Sequence, residues 1–324
     1  MERKSKKTQQ PEASSAPEPS HPLFRCGTVS IVGRPNVGKS TLLNHIVGEK
    51  VAIVSEVPQT TRNQVRGIYT EERGQIIFID TPGFHKNKDK LDQFMNKTAL
   101  GTTLDTDCII HLVDCGDPVG PEEEAVVRKL ASLTVPVVLG LNKVDITDKF
   151  IPEYISLWEK VTGKPVTQLE RFVILPLSGK TGMNTQKLLD VLFEFLLPGP
   201  ALYPEDVVCD IPQRMAVADI IREKFFQIMR QEVPHSLAVL IEDMQPKRHK
   251  VVHIRALVLV ERDSQKNIVI GKNGQVLKEV GTLARQELED LMDVKVFLEL
   301  FVKSKRNWRQ DNSLLVEMGY YESR

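Results

Sequence analysis

The sequence predicts two domains in series: an α/β domain with a mostly parallel, doubly wound sheet, then a smaller α+β domain. Three observations carry this expectation. From residue 28 onward, short and nearly continuous apolar runs alternate with longer amphipathic stretches, as strands buried on both faces alternate with helices. The first run leads into GRPNVGKS (33–40), a glycine-rich loop that opens a helix. At LLPGP (196–200) a Pro–Gly–Pro stop ends the alternation, and a different rhythm follows.

In the first domain the strands are TVSIVG (28–33), QIIFID (75–80), CIIHLVD (108–114), VPVVLGLN (135–142) and FVILPLS (172–178). KSTLLNHIVG, FMNKTALGTTL and EEEAVVRKLASL are the helical candidates between them. After the linker, MAVADIIREKFFQIMRQE (215–232) reads as a long amphipathic helix, and LAVLIEDM and VVHIRALVLVE as two strands of a meander. Two helical patterns, QVLKEVG and TLARQELEDLM, precede a last strand, KVFLELFVK (295–303). The boundaries expected are 1–26 for a disordered tail, 27–200 for the first domain and 201–324 for the second.

Bulk properties set limits. The chain of 324 residues carries 43 basic and 43 acidic side chains, so any nucleic-acid contact must come from a local patch. No apolar run reaches the roughly 18 residues of a membrane span. The polar, Ser- and Pro-rich tail lacks the apolar segment of a secretory signal, and its Glu2, Glu12 and Glu18 argue against a transit peptide. Cys26, Cys108, Cys115 and Cys209 show no CxxC spacing and read as reduced thiols of a cytoplasmic protein.

The loop GRPNVGKST comprises Gly33, Arg34, Pro35, Asn36, Val37, Gly38, Lys39, Ser40 and Thr41. Its glycines let backbone N–H groups close around phosphates, Lys39 supplies charge to the outer oxygens, and Ser40 offers a Mg²⁺ ligand. In DTPG, Asp80 ends a strand and would hold the Mg²⁺ side, with Thr81 and Pro82 leading to Gly83, whose N–H would sense the last phosphate. NKVD follows another strand. Asp145 can accept from N1–H and N2–H₂ of guanine, a paired contact adenine cannot make, while Lys143 packs along the base and Asn142 counts with them among the nucleotide-binding residues. Ser178, Gly179 and Lys180 end the next strand, where a backbone N–H can meet guanine O6. Together these imply a GTP/GDP and Mg²⁺ site. A further metal-binding threonine is expected in PQTTRNQ (58–64), with Thr61 favoured and Thr60 competing. Where many such sites place a water-orienting glutamine after the glycine, this chain has Phe84, which cannot hold a water.

In the second domain, VIGKNGQVL contains GxxG between an apolar run and a helix. Gly271, Lys272, Asn273 and Gly274 would clamp a single-stranded RNA backbone beside a groove lined by Ile270. KSKRNWR (303–309) adds Lys303, Lys305 and Arg306 beside an aromatic suited to stacking.

With GRPNVGKST, QTTR, DTPGFH, NKVD and SGKTGMN in this order, and VPHSLAVLIE, VIGKNG and LELFVKSKRNW after them, the sequence resembles the Era family of bacterial GTPases over residues 27–324. SGK stands where that family usually has alanine after the serine. The resemblance implies a P-loop GTPase domain joined to a type II KH domain, slow GTP hydrolysis, and a role in 30S ribosomal subunit biogenesis through the 3′ end of small-subunit rRNA. It also implies an apolar residue in place of the glutamine, and matches Asn36 to an asparagine that similar GTPases use to hold K⁺. Asn36, Lys39, Thr61 and Gly83 are the catalytic candidates on that basis. Nothing in the sequence demands a dimer. The rival expectations are a nucleotide-stabilised RNA-binding module with little turnover, and a switch peripheral to an anionic inner-membrane surface.

Overall fold

The computed structural model describes residues 23–55, 62, 64–82, 89–95, 105–229, 236–247 and 250–320. Six strands form the first sheet in the order β2-β3-β1-β4-β5-β6: β1 (Arg25–Val32), β2 (Val65–Glu71), β3 (Gly74–Asp80), β4 (Cys108–Asp114), β5 (Val137–Asn142) and β6 (Phe172–Pro176). All neighbours are parallel except β2, which runs antiparallel to β3 from Val65↔Asp80 to Glu71↔Gly74. Every residue of β3, β4 and β5 is buried, the condition that makes their sequences continuous apolar runs. β2 adds a strand to the five expected. Its VRGIYTE sequence gives neither a continuous apolar run nor a clean alternation, because only part of it is buried and Arg66 and Gly67 interrupt the apolar pattern.

Helices α1 (Lys39–Val47) and α4 (Thr185–Phe195) cover one face through Leu42, Leu43, Leu188, Leu192 and Phe193. On the other face, α2 (Pro121–Leu130) and α3 (Ile151–Thr162) bring Val126, Val127, Leu130, Tyr154, Leu157 and Trp158. The strand order reverses at β1, which lies between β3 and β4, and ligands of such sheets bind at the carboxyl ends of the strands beside that reversal. The segment after Pro198–Gly199–Pro200 is tied back onto the sheet. Ile68 N–H donates to Val208 O, Asp210 N–H to Arg66 O, and Gln75 Oε1 accepts from Leu202 and Tyr203.

The second domain runs α5 (Gln213–Ile228), β7 (Ala238–Lys247), β8 (Val251–Val260), α6 (Asp263–Ile270), the GKNG turn, α7 (Gln275–Met292) and β9 (Lys295–Ser304). β8 pairs antiparallel with β7 and parallel with β9, leaving β9 an edge. The two helical patterns expected after GKNG are one helix of 18 residues: Gly281 lies inside α7 without breaking it, because Val280, Ala284 and Leu288 keep a single buried stripe. A short α8 (Asn312–Glu317) follows, capped by Asp311, whose carboxylate accepts from Leu314 N–H. Of the expected helix FMNKTALGTTL, residues 94–95 are helical, and 96–104 lie outside the described residues.

Candidate functional site

Between β1 and α1, residues 33–38 turn back over the carboxyl end of the sheet. At Gly33 a Cβ would stand 2.2 Å from the Leu112 carbonyl oxygen, so no side chain fits. Gly38 has φ 98°, and a Cβ there would meet Asn142 Nδ2 at 2.5 Å. Asn36 is also left-handed at φ 64°, which asparagine tolerates better than most residues. No side chain caps the N-terminus of α1, so its first N–H groups open onto the loop as an anion site.

Lys39 is 6% exposed, and its Nζ donates to Gly33 O at 3.1 Å and Arg34 O at 2.9 Å. Burial lowers its pKa, opposed by the charges of Asp80 and Glu123. Ser40 Oγ donates to Asp80 Oδ2 at 2.6 Å, and the Thr81 hydroxyl donates to Ile31 O at 3.0 Å. The end of β1, the start of α1 and the end of β3 thus meet at one point, with paired hard oxygens that suit Mg²⁺. Pro82 is buried beside them. Gly83, Phe84, Thr60 and Thr61 lie outside the described residues.

Arg34 turns away from this point. Its Nη2 donates to Tyr154 Oη at 3.0 Å and Pro118 O at 3.2 Å, and its Nε stands 2.7 Å from Glu123 Oε2. Glu123 is fully buried, 2.8 Å from His111 Nε2, and Trp158 Nε1–H donates to His111 Nδ1 at 3.2 Å. Accepting at Nδ1 fixes the proton of the imidazole on Nε2, toward Glu123. Burial alone would raise the Glu123 carboxyl; His111 and Arg34 outweigh it and hold it below the usual range. Arg34 therefore anchors the loop to α2 and α3.

The base end is built on Asn142, 2% exposed. Its Nδ2 donates to Val37 O at 2.7 Å, and its Oδ1 accepts from Gly179 N–H at 2.9 Å. Its amide ties the phosphate loop to the loop after β6, and the Gly179 N–H is committed to it. Lys143, left-handed at φ 64°, donates from Nζ to Asn36 O at 3.0 Å and pairs with Asp114 Oδ2 at 2.5 Å. Asp145 is exposed beyond that turn. Ser178 is buried, and its Oγ accepts from Thr181 N–H at 3.1 Å, shaping the loop that carries Lys180.

Three segments beside the phosphate loop are bonded to the second domain. After α1, Lys50 pairs with Glu223 of α5 and with Glu287 of α7, while Val54 N–H donates to Glu223 Oε1 at 3.0 Å. Arg62 is 1% exposed, donates to Leu237 O at 2.8 Å, and lies 5.9 Å from the Trp308 ring. Burial pushes its pKa down to about 10, with Tyr320 opposing the shift and Arg222 and Arg309 adding to it. On the helical residues 90–95 and just before them, Asp89 and Asp92 take Arg309 at 2.5 and 3.1 Å, and Leu91 and Met95 pack with Trp308, Leu315 and Tyr320.

In the second domain, Gly271 (φ 75°), Asn273 (φ 52°) and Gly274 (φ 76°) make a tight turn between α6 and α7 that leaves Lys272 and Asn273 exposed. A Cβ at Gly271 would stand 2.9 Å from Val276 N. Beside the turn, a groove of about 580 Å³ runs between α7 and β9, lined by Gly274, Leu277, Arg285, Phe297 and Leu300 among others. Ile270, half-buried at the end of α6, lies off that lining. Lys303, Lys305 and Arg306 are exposed, and Lys305 pairs with Asp311 at 2.6 Å. The stacking role expected for the aromatic of KSKRNWR does not hold. Trp308 is 0% exposed, donates from Nε1 to Ser236 O at 2.8 Å and belongs to the junction core.

Residues 28–143 match the family described as 50S ribosome-binding GTPase, and residues 232–309 match the KH domain. The chain is 46% identical to the GTPase Era of Geobacter sp. strain M21, over 93% of this chain and 99% of that one. It superposes with a TM-score of 0.85 on Era in complex with MgGDPNP and nucleotides 1506–1542 of 16S ribosomal RNA, at 37% identity, covering 92% and 99%. A tyrosine-to-alanine variant of Aquifex aeolicus Era bound to GDP·AlF4⁻ gives 0.84 at 36% identity over the same shares.

Proposed function

This chain belongs to the Era family of GTPases, and from that premise we propose that it is a switch that binds and slowly hydrolyses GTP, grips single-stranded RNA at the 3′ end of the small-subunit rRNA, and serves assembly of the 30S subunit in the cytoplasm. Ser40 and Asp80 would hold Mg²⁺, with Thr61 completing the set in the GTP state, and the ion would neutralise charge on the outer phosphates. Lys39, whose Nζ donates to the Gly33 and Arg34 carbonyls of the loop, would bring its charge to the outer phosphate oxygens. The α1 N–H groups and Gly83 N–H would take phosphate oxygens, and Asp145 the guanine edge. With Phe84 unable to orient water, charge developing in the transition state falls to Asn36, a K⁺ ion beside it, and the Thr60–Thr61 loop.

The observation that carries the switch reading is the burial of Arg62 in the second domain, next to the Arg309–Asp89–Asp92 bridge. Arg62 lies one residue past the candidate Mg²⁺ threonine, and Asp89 six past the candidate γ-phosphate sensor. A change at either phosphate contact would thus lie close in the chain to a group anchored in the second domain, a short path for coupling.

The test is the affinity of a short single-stranded RNA, ending as small-subunit rRNA does, with a GTP analogue and with GDP. The control is Lys272→Asp with Asn273→Asp. Tight binding with the analogue, weaker with GDP and lost in the control is expected. Equal binding in both states would refute the coupling, and no binding would refute the KH reading.

A further inference from the structure

β4 lies between β1 and β5, so its carboxyl end opens between the phosphate loop and the turn that carries Lys143. Ligands of such sheets bind across these strand ends, yet none of the motif residues comes from β4. What the strand places there is Asp114, in register with Asn142 and 7% exposed. Its two carboxylate oxygens have separate partners. Oδ1 accepts from Gly116 N–H at 2.8 Å, and Oδ2 stands 2.5 Å from Lys143 Nζ. The turn that follows is fixed on both sides. Cys115 N–H donates to Asn142 O at 3.0 Å, Phe150 N–H donates to Cys115 O at 3.1 Å, and Asp117 N–H closes back on Asp114 O at 3.1 Å.

We propose that Asp114 is a positioning residue of the guanine site, holding the Lys143 side chain stretched where its stem meets the base. The inference rests on the GTP reading of the site and adds to it a residue from outside the motifs. Lysine carries a compact ammonium with three donors on a flexible stem. In this chain both ends of that stem are held. At the backbone Lys143 is left-handed at φ 64°, and its carbonyl accepts from Ile146 N–H at 2.9 Å. At the head, the ammonium bridges Asp114 Oδ2 and the Asn36 carbonyl, the latter at 3.0 Å. Asn36 O is a neutral acceptor, so Asp114 supplies the countercharge. With its side chain 10% exposed, the pair is screened less than one on the open surface. A side chain ordered in advance need not be ordered again when a base stacks on it, which is how preorganisation raises affinity. Both oxygens are needed. An amide has one acceptor oxygen where a carboxylate has two, so Asp114→Asn must give up either Gly116 N–H or Lys143 at nearly unchanged shape.

The test is a double-mutant cycle of Asp114→Asn and Lys143→Met on the full chain with Mg²⁺, read by GDP affinity and by single-turnover hydrolysis at saturating GTP. Asp114→Asn is expected to weaken GDP about fivefold, the scale of one hydrogen bond, chiefly through faster dissociation. Its single-turnover rate should stay within about twofold of native, because a grip on the base is the same in the ground and transition states. Lys143→Met, which keeps the stem and removes the ammonium, should weaken GDP at least as much, and Asp114→Asn should add no further loss to it. Native GDP affinity in either single variant overturns the proposal, so Lys143→Met decides the matter even where Asp114→Asn does not fold. A loss from Asp114→Asn that persists in full beside Lys143→Met also overturns it, and leaves Asp114 as a support of its own turn. A single-turnover rate that falls in step with affinity does the same, by moving the effect to the phosphates. Failure of the native chain to bind GDP would instead overturn the nucleotide reading itself.

Discussion

Arg309→Ala isolates the junction that couples the two domains. The guanidinium is 12% exposed and bridges Asp89, 15% exposed, and Asp92, 1% exposed, at 2.5 and 3.1 Å. Removing one partner of a fully buried pair costs about 3–5 kcal/mol, because the other charge is left behind. A charge-assisted hydrogen bond contributes about 1.5–3 kcal/mol. Asp92 approaches the buried case, while Asp89 keeps some access to water and counts for less. The loss then comes to about 2–4 kcal/mol in docking of residues 89–95 on the second domain, or roughly 30- to 900-fold in that equilibrium. The assay is a double-mutant cycle of Arg309→Ala and Asp92→Ala, read by interdomain energy transfer and by the ratio of RNA affinities with GTP analogue and GDP. The ratio should collapse toward one while affinity with GDP changes little. A coupling below about 0.5 kcal/mol, the level at which independent sites add, together with an unchanged ratio, would refute the bridge as a relay.

Lys39→Ala should abolish multiple-turnover phosphate release, and turnover that persists would remove Lys39 from the phosphate site. Asn142→Ala breaks two buried hydrogen bonds at once, to Val37 and Gly179, so GDP affinity should fall by about 2–4 kcal/mol in a competition titration. Asn36→Asp, or Na⁺ in place of K⁺, should slow hydrolysis at unchanged GDP affinity; equal rates would dismiss the ion and leave Asn36 to its left-handed turn. The Lys50–Glu287 contact should hold over a bounded pH range. Burial alone would raise Glu287, yet the hydrogen bonds and charges of Lys224 and Lys50 hold it below its usual 4.5. Its contribution is therefore present above 4.5 and lost as pH falls through the lower folded value. Burial alone would lower Lys50, but Glu223 and Glu287 raise it above 10.5, so its share is present below 10.5 and lost as pH climbs through the raised value. Proteolysis at the junction as a function of pH reads both edges, and Lys50→Met should erase the alkaline one.

The phosphate loop was legible because each of its residues answers a local demand: a glycine where Leu112 O leaves no room, a lysine and a serine where charge and oxygen are needed. The strands buried on both faces were legible for a similar reason, since complete burial writes itself as an unbroken apolar run. β2 was not, because one partly covered strand beside polar turns leaves a pattern of seven residues that loops also produce. The motif marks Asn142 as a nucleotide-binding residue but does not name its partners in the protein; both ends of its amide are bonded to backbone of loops far apart in sequence.

Trp308 shows the deeper limit. Beside Lys303, Lys305 and Arg306, an aromatic has the local chemistry of an RNA contact, and no property of the segment opposes that reading. Beside Ala238, Leu240, Leu259 and Leu315 of its own domain, what helps to bury it is residues 91–95, more than two hundred positions earlier, and Arg62, whose own neighbourhood reads only as a polar loop. A motif records what a residue can do, whereas a domain junction is fixed by the pairing of two surfaces that appear separately in the chain. The two phenylalanines of β9 complete the contrast. On a strand that reads as ordinary sheet, Phe297 and Phe301 are half-exposed, and the cluster around Trp308 reaches Leu257 and Leu259 of that sheet but not them.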